Sequence, residues 1–190
     1  MTTFTDKDVT ATDRFVFFWR GWPSQWGRTP FTHAGITYNC CEQYMMAEKA
    51  RIFGDKETLQ TILAAISPKE QKALGREVRG FDEAIWNSVC RGIVYTGNLA
   101  KFQQNPELTA KLLDTGDRTI VEASPVDRIW GIGLAADNSD ALDPAKWRGT
   151  NWLGIALMQV RATLRSRPLD AALETQLETR CAIVMKVNET

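Results

Sequence analysis

Cys41-Glu42-Gln43-Tyr44-Met45-Met46-Ala47-Glu48-Lys49-Ala50 reads as a helix, and within it Glu42 and Lys49 stand seven positions apart on one largely apolar face. At about 1.5 Å of rise per residue, their backbones lie about 10 Å apart along the axis, which leaves room for a sugar-sized group between the side chains. At that spacing the carboxylate and the amine do not simply neutralise each other. Such a pair on an apolar face is explained either by acid/base or imine chemistry or by amphipathic side chains that carry their charges out to water.

On the N-terminal side, Gly35-Ile36-Thr37-Tyr38 resembles a short strand leading into this helix. Before it, Arg20 to Thr32 carries two glycines and two prolines and reads as loop. The aromatic run Arg14-Phe15-Val16-Phe17-Phe18-Trp19 predicts a buried strand, preceded by a loose polar leader over residues 1–13. On the C-terminal side the helix is expected to stop near Gly54. Ser67-Pro68-Lys69-Glu70 starts the next one, with Ser67 as cap, proline in the first turn and Glu70 completing a capping box, and that helix runs to about Val78. Asp82 caps a long helix whose buried side carries Trp86, Val89, Cys90 and Ile93 and which continues to Phe102. Asn105-Pro106-Glu107 begins another, closed at Asp114-Thr115-Gly116-Asp117.

Thr119-Ile120-Val121-Glu122-Ala123 is a β-type run, and Asp127 to Gly133 is a glycine-hinged loop or strand. Gly154 to Arg165 is an amphipathic helix with Leu153, Leu157, Val160 and Leu164 at helical spacing. Residues 169–180 read as helical, and Ala182 to Val187 as a short strand or more helix. The resulting expectation is an α+β fold: one compact domain over residues 14–167, mainly helical with a few short strands, with residues 168–190 packed on it as an extension. The site is expected between the Glu42 helix and the two Trp-Gly loops.

Composition narrows the function classes. The 190 residues carry a formal net charge of zero, so no global field holds the protein on DNA or RNA; any nucleic-acid contact is local or directed at a modified end. Cys40, Cys41, Cys90 and Cys181 show no CxxC spacing, and His33 is the sole histidine, which speaks against a protein-built zinc site or a Ser-His-Asp triad. No basic-then-apolar leader and no apolar run of membrane length occur, so free thiols in a reducing cytoplasmic compartment are expected. The seven tryptophans cluster as Trp19, Trp22 and Trp26, then Trp86, then Trp130, Trp147 and Trp152. Several lie in Gly- and Pro-containing segments, which suits rings lining a cleft as well as plain core packing.

The ordered blocks from residue 15 to 165 resemble the NADAR family, the YbiA-like N-glycosidases. They are Phe-Trp with Ser24-Gln25-Trp26, the helix from Glu42-Gln43-Tyr44 to Lys49-Ala50, Thr115-Gly116-Asp117, Glu122-Ala123-Ser124, Asp127-Arg128-Ile129-Trp130-Gly131-Ile132-Gly133, and Trp147-Arg148-Gly149-Thr150-Asn151-Trp152-Leu153-Gly154. This chain departs from the common pattern at Cys40-Cys41 and at Trp152, and neither change removes a charged residue. The resemblance implies hydrolysis of a carbon–nitrogen bond at a ribose C1. First as substrate comes ADP-ribose on guanine bases of DNA or RNA; phosphoribosylamino-pyrimidines, ribosylamine intermediates of riboflavin synthesis, are the alternative. A non-catalytic ADP-ribose or NAD binding module is a reading of a different class. The chemistry demands no cofactor, since water and protein groups suffice.

Within that frame Lys49 attacks C1 as a neutral amine and forms a Schiff base after ring opening, if burial lowers its pKa; the plain alternative is an ion pair. Glu42 serves as general acid/base or holds ribose hydroxyls, against the reading of a helix-start carboxylate stabilised by the dipole. Asp127 binds the ribose diol or orients Lys49, or else closes a loop turn. Trp130 with Gly131 suits a planar group approached closely by backbone. Arg148 and Asn151 suit phosphate and ribose or amide groups. Arg148 could equally pair with Glu122, which in an apolar run is either paired or catalytic. Phe18, Trp19, Arg20 and Trp86 complete the expected substrate-binding set. Lys69, Lys72, Arg76 and Arg79 form a basic stripe that reads as a solvated face, with a guide for a phosphorylated substrate as the lesser reading.

Overall fold

Four bulky apolar residues in a row, Phe15 to Phe18, alternate between the two faces of a strand, so both faces must be covered. In the computed structural model, which describes residues 8–166, both are covered. Strand β2 (Phe15–Phe18) is the middle of a three-stranded sheet, antiparallel to β1 (Val9–Ala11) and parallel to β5 (Thr119–Glu122). Its register sets Phe15 opposite Thr119 and Phe18 opposite Glu122. Phe15 and Phe17 pack with Val121, Ala123, Ile132, Leu134, Ala141 and Trp147 in a small core on one side. Val16 and Phe18 join Ile120 and the helices in the main core on the other.

The remaining elements follow in chain order. A hairpin of β3 (Phe31–His33) and β4 (Ile36–Tyr38) turns at Ala34 and Gly35, both at positive φ. It leads into α1 (Cys41–Ile52), α2 (Lys56–Ala64), α3 (Pro68–Arg76), α4 (Glu83–Gln103) and α5 (Pro106–Asp114). After β5 come two 3-10 turns, Ser139–Leu142 and Pro144–Lys146, and then α6 (Trp152–Ser166). The architecture is α+β and mainly helical, as the residue pattern predicts.

Helix α1 is the hub, with α2, α3 and α4 around it and α6 against α4 and β5. Because neighbours surround it, α1 buries Glu42 and Gln43 along with Tyr44, Met45, Met46 and Ala47. Two glycines make the close crossings. A Cβ on Gly97 of α4 would meet the Tyr44 ring at 2.5 Å, and one on Gly75 of α3 would overlap Met46. Asp55 caps α2 through the Thr58 amide and also accepts from the backbone and side chain of Arg79, tying the segment after α3 to the start of α2.

Several expectations are corrected. Val9–Ala11, within the expected loose leader, is a strand with Val9 buried. Phe31 and Thr32 belong to the β3 hairpin rather than to loop. Helix α2 was not foreseen. The Ser67 side chain makes no capping hydrogen bond, so Pro68 starts α3 without the capping box, and the helix ends at Arg76. Asp82 does cap α4, and Gly116 closes α5 at positive φ. The helix and strand expected beyond residue 168, and the packing of that extension, lie outside the described residues.

Candidate active site

The exposed edge of α1, the aromatic loop after β2 and the loop after β5 enclose a cleft of about 580 Å³. Glu42, Met45, Met46 and Lys49 of α1 line it together with Trp26, Trp86, Glu122, Asp127 and Trp130. Helical spacing therefore brings the acid and the amine to one cavity, and the β2–β5 register brings a second glutamate to meet them.

Glu42 is 5% exposed and accepts from the Trp26 indole Nε1 at 3.2 Å. Burial pushes its carboxyl up to about 7; Lys72, the Trp26 hydrogen bond and Arg76 oppose the rise, and Asp127 adds to it. Glu122 goes further, to about 8, because of burial and then Asp127, with Lys72 opposing. Its Oε2 is buried without a hydrogen-bond partner. Near neutral pH Glu122 is thus mostly protonated and Glu42 about half so, where an exposed carboxyl would be ionised. The Arg148 pairing considered from the sequence does not form among the described residues: Arg148 is exposed and no ion pair joins it to Glu122.

Lys49 Nζ donates to Gly75 O at 2.8 Å and lies over the rings of Phe81 at 4.0 Å and Trp86 at 5.7 Å. Among the described residues it has no carboxylate within ion-pair distance. Burial lowers its pKa, so its free-amine fraction exceeds that of an ordinary lysine. Asp127 lines the cleft while its Oδ1 accepts from the amides of Ile129 and Trp130 at 2.9 and 2.8 Å, which shapes the loop and sets the Trp130 ring. The turn-closing reading of Asp127 is the one these hydrogen bonds display.

Other expected residues stand behind the cleft. Phe18 is 1% exposed and packs in the core, not in the cleft. Gly131 is buried because a Cβ there would meet Glu122 O at 2.8 Å. Asn151, 2% exposed and at positive φ, accepts from the Glu122 amide at 3.0 Å and donates to Ile120 O at 2.9 Å. It holds β5, and with it Glu122, in place. The amides of Arg148, Thr150, Asn151, Trp152 and Leu153 donate to carbonyls in the 128–132 loop, so the two Trp-Gly blocks hold each other in place. Trp147 packs on Phe15 in the small core, and Trp152 lies edge-on to Trp130 at 5.8 Å.

Residue-type reasoning passed over four contributors. Lys72 of the basic stripe lines the cleft and lowers the pKa of both glutamates. Its stripe neighbour Arg79 instead pairs with Asp55 and Glu57. Trp26 anchors Glu42, a role that its place in the tryptophan cluster and its motif block does not single out, and Phe81, a lone aromatic between Gly80 and Asp82, gives no signal. Lys101 is 0% exposed, and its Nζ donates to the carbonyls of Trp22 at 2.7 Å and Ser24 at 3.2 Å. Together with Asn98, which donates to Gln25 at 2.8 Å, it straps the aromatic loop onto α4. The described residues hold no group of three or more His, Cys, Asp and Glu placed for a metal. No described helix is long and apolar enough to cross a membrane.

Residues 10–165 match the NADAR domain, and the chain belongs to that family. It is similar to N-glycosidase R617 of Acanthamoeba polyphaga mimivirus, with 48% identity over 124 residues that make up 65% of this chain and 73% of the viral protein. Protein irg-1 of Caenorhabditis elegans is 38% identical over 156 residues, 78% of this chain and 74% of the nematode protein. The NMR structure of the Escherichia coli protein YbiA matches the fold with a TM-score of 0.67 at 27% identity, over 82% of this chain and 88% of that one.

Proposed function

We propose that this chain is an N-glycosidase that cleaves a ribose C1–nitrogen bond, and that its substrate is ADP-ribose carried on guanine bases of nucleic acid. The observation that carries the reading is the cleft itself. It pairs an amine of lowered pKa, with no carboxylate partner among the described residues, with two glutamates that keep their protons near neutral pH. The viral relative's name places it in the same reaction class.

In this mechanism the free amine of Lys49 bonds to C1 while the C1–N bond breaks, its electron pair going to the departing base nitrogen. Glu42 gives that nitrogen its proton, and the carboxylate left behind accepts the proton shed by the lysine nitrogen. The ribose ring opens to a C1=N imine, water adds, and the amine leaves with the sugar restored. Glu122 holds ribose hydroxyls through its unpaired oxygen. Burial, with a smaller contribution from Asp127, favours the protonated glutamates, and Asp127 shapes the loop that carries Trp130 beside the leaving base.

The test is incubation of the protein and of Lys49→Ala with guanine-ADP-ribosylated DNA, following released ADP-ribose by mass spectrometry with borohydride present. The expected result is release by the wild type and a reduced covalent sugar adduct, both missing in Lys49→Ala. Release from a phosphoribosylamino-pyrimidine but not from DNA would replace the substrate. Retained ADP-ribose binding with no turnover of either would make the protein a binding module.

A further inference from the structure

Phe81 is 45% exposed, yet the chain is fixed on both sides of it. Before it, the Asp55 carboxylate accepts from the Arg79 backbone amide at 2.9 Å and from its guanidinium at 3.2 and 2.7 Å. Gly80 then reverses the chain at a φ of 72°, which glycine adopts without strain. After it, Asp82 caps α4 by accepting from the Ile85 amide at 2.9 Å. The ring so placed meets Phe53 edge-on at 5.4 Å and covers Lys49 Nζ at 4.0 Å, without itself lining the cleft. We propose that Phe81 is a positioning residue for Lys49: set by the Asp55–Arg79 clamp, its ring shields the amine from water and confines it to one orientation at the cleft wall. The proposal rests on the reading of Lys49 as the reacting amine and adds a residue that prepares it.

Counted from the Asp82 cap, Phe81 and Trp86 occupy the two positions of a hydrophobic staple, the residue before the cap and the fourth of the helix. Here the staple holds more than the helix entry, because Lys49 Nζ lies over both rings, at 4.0 and 5.7 Å. The third contact is the Gly75 carbonyl, which accepts from Nζ at 2.8 Å. It belongs to the last turn of α3, whose carbonyls find no acceptor's partner further along their own helix. A surface lysine samples many rotamers, whereas an amine held by two rings and a carbonyl is restricted to few.

The charged groups that line the same cleft are Glu42 on α1, Lys72 and Arg76 on α3, and Glu122, Asp127 and Arg128 after β5. On the α4 side, Arg79 is engaged by Asp55 and Glu57, and Asp82 by the Ile85 amide. Among the described residues no carboxylate lies within ion-pair distance of Lys49. The rings therefore act on it in two directions. Their faces attract an ammonium, and their bulk removes the water that an ammonium needs. For a group with no counter-charge dehydration is the larger effect, and burial lowers the Lys49 pKa accordingly. Taking the Phe81 ring away returns water to the amine, makes its free form rarer at a given pH, and lets the side chain leave Gly75.

The experiment measures the amine first, without any sugar substrate. Trace acetylation with acetic anhydride across the lysine titration range, read by mass spectrometry on the peptide carrying Lys49, gives the pH midpoint of its free-amine form. The proteins compared are the wild type, Phe81→Ala, Phe81→Leu and Arg79→Gln; Phe81 and Arg79 are exposed, and thermal melts confirm that the variants fold. The expected result is that the free-amine fraction at neutral pH falls about threefold in Phe81→Ala and about twofold in Arg79→Gln, which loses the ion pairs but keeps the backbone bond to Asp55. Phe81→Leu, which keeps an apolar cover, stays close to the wild type. On guanine-ADP-ribosylated DNA, the rising limb of kcat/KM against pH moves to higher pH in Phe81→Ala while KM stays within about twofold. A staple with a structural role alone would lower the melting temperature and leave the midpoint unmoved, and that result would overturn the proposal. So would a midpoint that moves down, the sign of a ring that only attracts the cation. A midpoint that shifts as stated in a protein that turns over no substrate would support the role of Phe81 and remove the glycosidase reading instead.

Discussion

Glu42 and Glu122 keep protons at a pH where a free glutamate has lost nearly all of its own, and this links the cleft to stability. Their folded pKa values, about 7 and about 8, lie above the ordinary 4.5. Between pH 4.5 and 8 the folded chain therefore binds more protons than the unfolded one. The sign is fixed: their contribution is fully present below pH 4.5 and is lost as pH rises through 7 and 8. Urea unfolding of the wild type should show stability falling by a few kcal/mol across that window. The Glu42→Gln/Glu122→Gln double variant should show a nearly flat profile and be the more stable protein at pH 9. An unchanged slope in the double variant would mean that the two carboxyls titrate as exposed groups.

At the scale of elements, the site depends on how closely α3 and α4 approach α1, and two glycines on α4 separate crowding from helix propensity. Gly92 has open space where a Cβ would go, whereas at Gly97 the Tyr44 ring is in the way. Gly92→Ala should stabilise the protein by up to about 1 kcal/mol through helix propensity alone. Gly97→Ala should destabilise it by about 1–3 kcal/mol as α4 is pushed from α1. Chemical denaturation of the pair measures both, and equal effects would refute the close crossing. Elements were legible where one local signal sufficed: the run Phe15 to Phe18, the Asp82 cap and the spacing of Leu153, Leu157 and Val160 all appear in β2, α4 and α6. Helix α2 escapes because only Ile62 of its nine residues is fully buried and its apolar stripe, Leu59, Ile62 and Leu63, spans little more than one turn, although Asp55 and Thr58 carry a cap signal. Within the site, Glu42 and Lys49 were legible because one helix holds both. Lys72 was not, since whether a basic stripe faces water or a cleft is decided by the neighbouring helix. Asn151 and Gly131 also prop one loop against another, a role that tertiary packing sets and residue type does not announce.

The molecule as a whole is two unequal cores sharing one sheet, with β2 contributing alternate residues to each. Because the strand belongs to both, loss of packing in the small core reaches the large one. Phe17→Ala should cost about 3–5 kcal/mol while unfolding remains a single transition by calorimetry and by tryptophan fluorescence. Two separated transitions would show that the small core melts by itself. The parallel register that sets Phe18 beside Glu122 also orders events during synthesis. On a ribosome, α1 to α5 emerge before β5, so Lys49 and Glu42 are present long before the second acid arrives. Closing the pair joins segments roughly 100 residues apart, a loop-closure step that helix formation does not need. A slip of one position would turn Glu122 to the opposite face of the sheet. A growing chain therefore carries the amine without the finished pocket around it, and the cleft is complete only once translation has passed the fifth strand.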